Sequence, residues 1–262
     1  MPTVRPAAVA GTFYPADRDA LHKMVSDLLH EVPTTAAPPP KAIIVPHAGY
    51  IYSGPIAATA YARLVPLRDT LRRVVLLGPS HRVGFSGIAA SSADYFHTPL
   101  GDVPLDQELL ARVTAHGGVQ PFDQAHQMEH SLEVQLPFLQ EVLGDFTLLP
   151  LVVGDARPEE VAAVLRTVWG GAETLIVVSS DLSHYHDYAT AQRMDRATSN
   201  AIEELNTRAI GHEDACGRTP LNGLLLLAWE KQLRAETIDL RNSGDTAGPH
   251  DRVVGYGAYL FH

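Results

Sequence analysis

The chain has 262 residues, room for one large domain or two small ones, and its 45% hydrophobic share is ordinary for a soluble globular protein. Acidic residues outnumber basic ones by 30 to 20, for a formal net charge of −10. No basic run stands out, which argues against a nucleic-acid surface or a membrane patch. No apolar run approaches the roughly 18 residues of a membrane span. The N-terminal stretch MPTVRPAAVAGTFYPADRD lacks the apolar core of a secretory signal, so a cytoplasmic location is expected. One cysteine, Cys216, excludes an internal disulfide and a cysteine-rich zinc site. A metal is therefore expected on His, Asp or Glu, and position must sort the 13 histidines.

In chain order, residues 17–31 predict a helix, with Asp17 as N-cap and Leu21, Met24, Val25, Leu28 and Leu29 on one face. Residues 33–40, PTTAAPPP, read as an extended connector. Short runs apolar on both faces follow at 42–45, 73–78, 146–153 and 174–180, the pattern of buried parallel strands. Helical spacing occupies 55–66, 105–116, 158–169 and 187–207; a helix near 219–234 and a strand near 253–261 complete the series. This alternation predicts a single α/β domain over residues 1–262, with a mainly parallel (mixed) central sheet and helices on both faces.

Three of these strands run into a histidine: Pro46-His47-Ala48-Gly49, Gly78-Pro79-Ser80-His81 and Asp181-Leu182-Ser183-His184. Open α/β sheets bind ligands outside the carboxyl ends of their strands, so the three point to one site. A lone histidine there is more often a surface or capping residue; three in equivalent places are not readily accidental. Clustered imidazoles suit a transition metal. Two histidines plus a carboxylate suit iron(II) with open positions, and a third histidine off the metal can serve as acid or base.

Residues His126-Gln127-Met128-Glu129-His130 spell H-x-x-E-H, which on a helix marks inverted zinc peptidases. The competing reading is a loop leading into a helix whose Leu132, Leu136 and Leu139 pack on the sheet. Cys216 precedes Gly217-Arg218 and a helix start, where a thiolate can be activated, though a small buried turn residue is the commoner role. No dinucleotide, P-loop or nucleophile-elbow motif is present.

Taken together, Pro46-His47-Ala48-Gly49-Tyr50 with Ser53-Gly54, Gly78-Pro79-Ser80-His81, the run from Glu129 to Phe138, Ser179 to His184, Cys216-Gly217-Arg218, Ser243-Gly244-Asp245 and Val254-Gly255-Tyr256 resemble the Memo family. Its prokaryotic members are also called AmmeMemoRadiSam system protein B. The resemblance spans nearly the whole chain, in order. It implies a fold like that of class III extradiol dioxygenases, and His47 and His81 as metal ligands. It also implies Asp181 and His184 in the same pocket, with His184 placed like an acid–base histidine, and Glu129 and His130 facing the site. The third ligand is expected from the segment before the last strand, where Asp245 is the only strong donor. The cofactor expectation is a divalent transition metal, iron(II) first, then copper or zinc. The expected partners are a small-molecule substrate or an anionic ligand, with a link to a radical-SAM system. Two readings compete with a metal-dependent dioxygenase-like enzyme: a non-catalytic metal- or phospho-ligand-binding protein, and the zinc peptidase.

Overall fold

The computed structural model describes residues 2–33 and 38–262, so part of the proline-rich connector lies outside the described residues. The strands are β1 (Val4–Arg5), β2 (Ala42–Val45), β3 (Arg73–Pro79), β4 (Ile88–Ala90), β5 (Tyr95–Thr98), β6 (Gly101–Pro104), β7 (Val119–Pro121), β8 (Thr147–Val153), β9 (Thr174–Ser179), β10 (His184–His186), β11 (Ala235–Asn242) and β12 (Val253–Phe261). The helices are α1 (Arg18–His30), α2 (Tyr50–Tyr61), α3 (Gln107–His116), α4 (Asp123–Gln127), α5 (Leu136–Val142), α6 (Pro158–Thr167), α7 (Tyr188–Glu203) and α8 (Arg218–Glu230).

The main sheet runs β10-β12-β2-β9-β3-β8-β4-β7, with β11 paired to β12. Its centre, β2-β9-β3-β8, is parallel, and antiparallel pairs flank it at β12/β2 and β4/β8. The fold is thus the expected mixed α/β one. Alternating strand residues feed two cores on opposite faces. Ile43, Val45, Val74 and Leu76 join one; Ala42, Ile44, Val75 and Leu77 join the other. Two-sided burial is why these strands read as unbroken apolar runs. Pro150 sits within β8 without breaking the sheet, because β4 pairs only with residues 151–153 and asks nothing of its missing N–H.

Several boundaries differ from the sequence reading. The helix expected from residue 55 begins at Tyr50 and carries Pro55 inside it. Its missing N–H forfeits one helical bond, to the carbonyl of Ile51 in the first turn, and Ile51 is solvent-exposed. The helix therefore follows the His47 turn directly. The strands β1, β4 to β7, β10 and β11 were not anticipated. All but the last are two to four residues long, too short for a period to register, and β11 (AETIDLRN) carries charges on a half-exposed flank. No helix among the described residues is long and apolar enough to cross a membrane.

Candidate metal centre

Three adjacent parallel strands, in the order β2, β9, β3, end at the same edge, and just beyond them lie His47, Asp181 and His81. A fourth segment joins them: the turn before α8 places Cys216 against the end of β9. Gly217 permits that approach, since a Cβ there would lie 2.7 Å from Ser180 Cβ and 2.8 Å from Ser179 O. Gly78 plays the same part under β3, where a Cβ would meet Ser131 Oγ at 2.8 Å. That contact brings the segment bearing Glu129 and His130 over the site.

Hydrogen bonding fixes both histidine tautomers. The Ser179 hydroxyl donates to Ser131 O at 2.6 Å, so towards His47 Nδ1, 2.9 Å away, it can only accept. His47 Nδ1 therefore carries the proton and Nε2 the lone pair. Glu129 Oε1 lies 2.9 Å from His81 Nδ1 and its Oε2 accepts the His81 N–H at 2.6 Å, so His81 likewise keeps Nε2 free. Burial alone would raise Glu129, but the His81 and Ser131 hydrogen bonds hold its carboxyl down at about 2. This carboxylate–histidine pairing is the usual outer support of a metal-ligating imidazole. Burial, then the neighbouring His81 and His130, holds His47 well below the usual imidazole range and keeps it neutral.

Cys216 Sγ lies 3.2 Å from His47 Nε2 and accepts the Asp181 N–H at 3.3 Å. Burial, reinforced by the Asp181 carboxylate, pushes its thiol up to about 12. The cysteine is thus a thiol that a cation would have to deprotonate. One ligand atom each from His47, His81 and Cys216 lie within 4.8 Å of one another. Atoms bound at about 2.0–2.3 Å to one ion sit at most about 4.6 Å apart. The donor set therefore fits a metal with little adjustment. A second group, His81, Glu129 and His130, meets the same spacing, but Glu129 is already committed to His81 and two backbone N–H groups.

Other expected residues fall around this triad. His130 has its ring centroid 5.4 Å from that of His47 and 4.6 Å from that of His81; its buried Nδ1 has no hydrogen-bond partner among the described residues and stands 3.4 Å from Glu129 Oε1. Asp181 Oδ1 accepts the His47 N–H at 2.7 Å, and burial raises its carboxyl. His184, on β10, donates Nδ1–H to Leu182 O at 2.8 Å, which fixes the orientation of its ring. His47, His81, His130, Asp181, His184 and Cys216 all line one cavity of about 730 Å³.

Two expectations fail geometrically. Asp245 is exposed and closes its own turn, accepting the Asn242 N–H at 2.9 Å and the Tyr188 hydroxyl. It lines a separate cavity with Arg193 and Arg196. The candidate groups are not confined to His, Asp and Glu, the only donors expected from the sequence, since Cys216 joins one of them. The H-x-x-E-H pattern does not lie on one helix face, because α4 stops at Gln127. His126 is buried against Phe96 with Nε2 on Ala89 O, away from Glu129 and His130, so the peptidase arrangement is not formed.

Two imidazoles and a thiol beyond adjacent parallel strands define a mixed α/β protein with a candidate metal centre. The description "Memo-like protein" belongs to the family whose sequence model matches residues 5–260. A MEMO1 family protein of Aquifex aeolicus is 39% identical, covering 98% of this chain and 99% of its own. Those of Aeropyrum pernix and Methanococcoides burtonii are 38% and 37% identical, each covering 97% or more of both chains. The chain belongs to the Memo family. In fold it is similar to an uncharacterized protein of Escherichia coli K12, with a TM-score of 0.53 at 14% identity over 84% of this chain and 98% of that one.

Proposed function

We propose that this protein is a metal-dependent oxidoreductase acting on a small molecule, with His47, His81 and Cys216 as the metal ligands. The observation that carries the reading is the pair of histidines whose Nδ1 atoms are tied back to Ser179 and Glu129, leaving both Nε2 atoms for a metal beside Cys216 Sγ. A thiolate in place of a carboxylate moves the metal preference from iron(II) towards the softer copper(I). When bound, such an ion would supply electron exchange and polarisation of a coordinated group.

The chain's own residues supply the rest. Glu129 and Ser179 orient the ligand imidazoles. His184 presents its ring to the cavity as an acid–base group, fixed by its Nδ1–H bond to Leu182. Burial favours the protonated form of Asp181, which can pass that proton within the cavity. His130, its ring tilted 47° to that of Phe13 at 4.7 Å, supplies a further neutral imidazole off the metal.

Elemental analysis of protein purified without chelator from medium containing copper and iron tests the centre. Near-stoichiometric metal is expected in wild type and in Asp245→Ala, with loss in His81→Ala and Cys216→Ser. A Cys216→Ser variant as rich in metal as wild type would overturn the ligand set. Oxygen uptake by the loaded protein with a panel of small organic substrates tests turnover. A loaded centre without turnover on any of them leaves a binding protein and refutes the enzyme reading.

A further inference from the structure

The cavity over the candidate centre is far larger than an ion needs and falls in the size range of small-molecule sites. Its wall is unusually aromatic, with Phe13, Tyr52, Tyr185 and Tyr256. Arg252 is the one lysine or arginine in it. Among the described residues no carboxylate pairs with Arg252; its guanidinium carbon lies 5.0 Å from the centroid of the Tyr185 ring. Tyr185 is itself 63% exposed and has φ +64°, a left-handed conformation that a residue with a Cβ seldom adopts. Residues held in such sparsely populated conformations cluster where a ligand is handled. The two carboxylates of the wall do not occupy the arginine: Asp181 is bound to the His47 N–H, and Glu213 stands exposed on the turn leading to Cys216.

We propose that Arg252 and Tyr185 select a small aromatic carboxylate. The flat ring lies against the aromatic wall, the carboxylate meets the guanidinium fork, and the opposite end of the molecule faces His47, His81 and Cys216. A planar guanidinium free of any protein carboxylate matches a ligand carboxylate in a two-pronged contact. Aromatic walls favour a flat ring over a saturated one of the same size. The proposal rests on the metal-centre reading only for what lies at the far end of the ligand.

Titration of benzoate, benzamide and cyclohexanecarboxylate, followed by calorimetry and ligand-detected NMR, tests it on the full-length protein. Wild type is expected to bind benzoate about tenfold more tightly than benzamide, the scale of a charge-assisted hydrogen bond, and about fivefold more tightly than cyclohexanecarboxylate, the scale of an aromatic pair. Arg252→Gln removes the preference over benzamide with metal content unchanged, and Arg252→Lys restores only part of it. Tyr185→Ala narrows the preference over cyclohexanecarboxylate. Equal binding of benzoate and benzamide by wild type overturns the proposal, as does no binding of any probe, or a preference that survives in Arg252→Gln. A tyrosine-phosphorylated peptide that displaces benzoate at far lower concentration overturns it in favour of a peptide ligand. Metal measured on the same samples separates the two readings. Carboxylate preference without metal refutes the centre alone, and metal without carboxylate preference refutes this proposal alone.

Discussion

Ser179 is fully buried and serves three partners: it donates to Ser131 O, accepts from Gln135 Nε2 at 2.7 Å, and accepts His47 Nδ1–H. Gln135 keeps Pro46 O when the hydroxyl is removed, but the imidazole N–H is left alone in the interior. Ser179→Ala is therefore expected to cost about 1–3 kcal/mol in urea unfolding. It should also weaken metal binding about 10–100-fold in competition with a chelator. A variant with wild-type affinity would show that the hydroxyl does not orient His47. Asp195 offers a pH signature away from the triad. It is 3% exposed, and burial raises its carboxyl from 3.8 to about 6, against the Ser183 N–H that stabilises the charge. Its folded pKa lies above its unfolded one, so protonation favours the native state. That stabilisation is complete below about pH 4 and lost as pH rises through about 6, a change on the order of 3 kcal/mol. Asp195→Asn should be the more stable protein near pH 8, with the gap closing near pH 4. A pH-independent difference in unfolding free energy would contradict this.

Elements set the site's precision through the segment from Glu129 to Gln135. Glu133, fully buried, accepts from Ala8 N–H at 2.7 Å, Val9 N–H at 3.0 Å and the Tyr14 hydroxyl at 2.5 Å, and pairs with Arg5. Arg5 in turn donates to Glu129 O at 2.7 Å and His126 O at 3.0 Å. The N-terminal segment is thus pinned to the stretch that supports His81. Glu133→Gln leaves a buried guanidinium uncompensated and should destabilise by about 3–5 kcal/mol. It should also loosen Phe13, which would appear as faster amide exchange over residues 8–14. None of this was readable beforehand. A glutamate in a helical-looking run is ordinarily solvent-facing, and its partners lie more than 100 residues away. The parallel strands, by contrast, were legible to within a residue, because burial on both faces writes itself into consecutive residues. The histidines at their ends were legible for the same reason: strand and site share an edge. Cys216 was not, because only the close approach allowed by Gly217 shows that its turn reaches β9.

At the scale of the molecule, a metal on the proposed triad would tie the ends of β2 and β3 to the start of α8. A metal that binds only this folded arrangement stabilises it by mass action, about 4 kcal/mol at a thousandfold excess over Kd. For a chain of this size that corresponds to roughly 8–16 °C in Tm. The shift should appear on adding copper(I) to wild type under reducing conditions and vanish in Cys216→Ser. An equal shift in both would place the stabilising metal elsewhere.

The proposed ligands are also unevenly spread along the chain. His47 and Cys216 stand 169 residues apart. During synthesis at about 5–20 residues per second, the two histidines wait on the order of ten to thirty seconds before the thiol follows them out of the ribosome. Until then the nascent chain offers an ion only two nitrogens and open water, a weak and unselective grip. On the proposed ligand set, complete metallation would therefore be a late event in the life of each molecule, and whichever ion is exchangeable and abundant when residue 216 emerges would have the first opportunity to fill the centre.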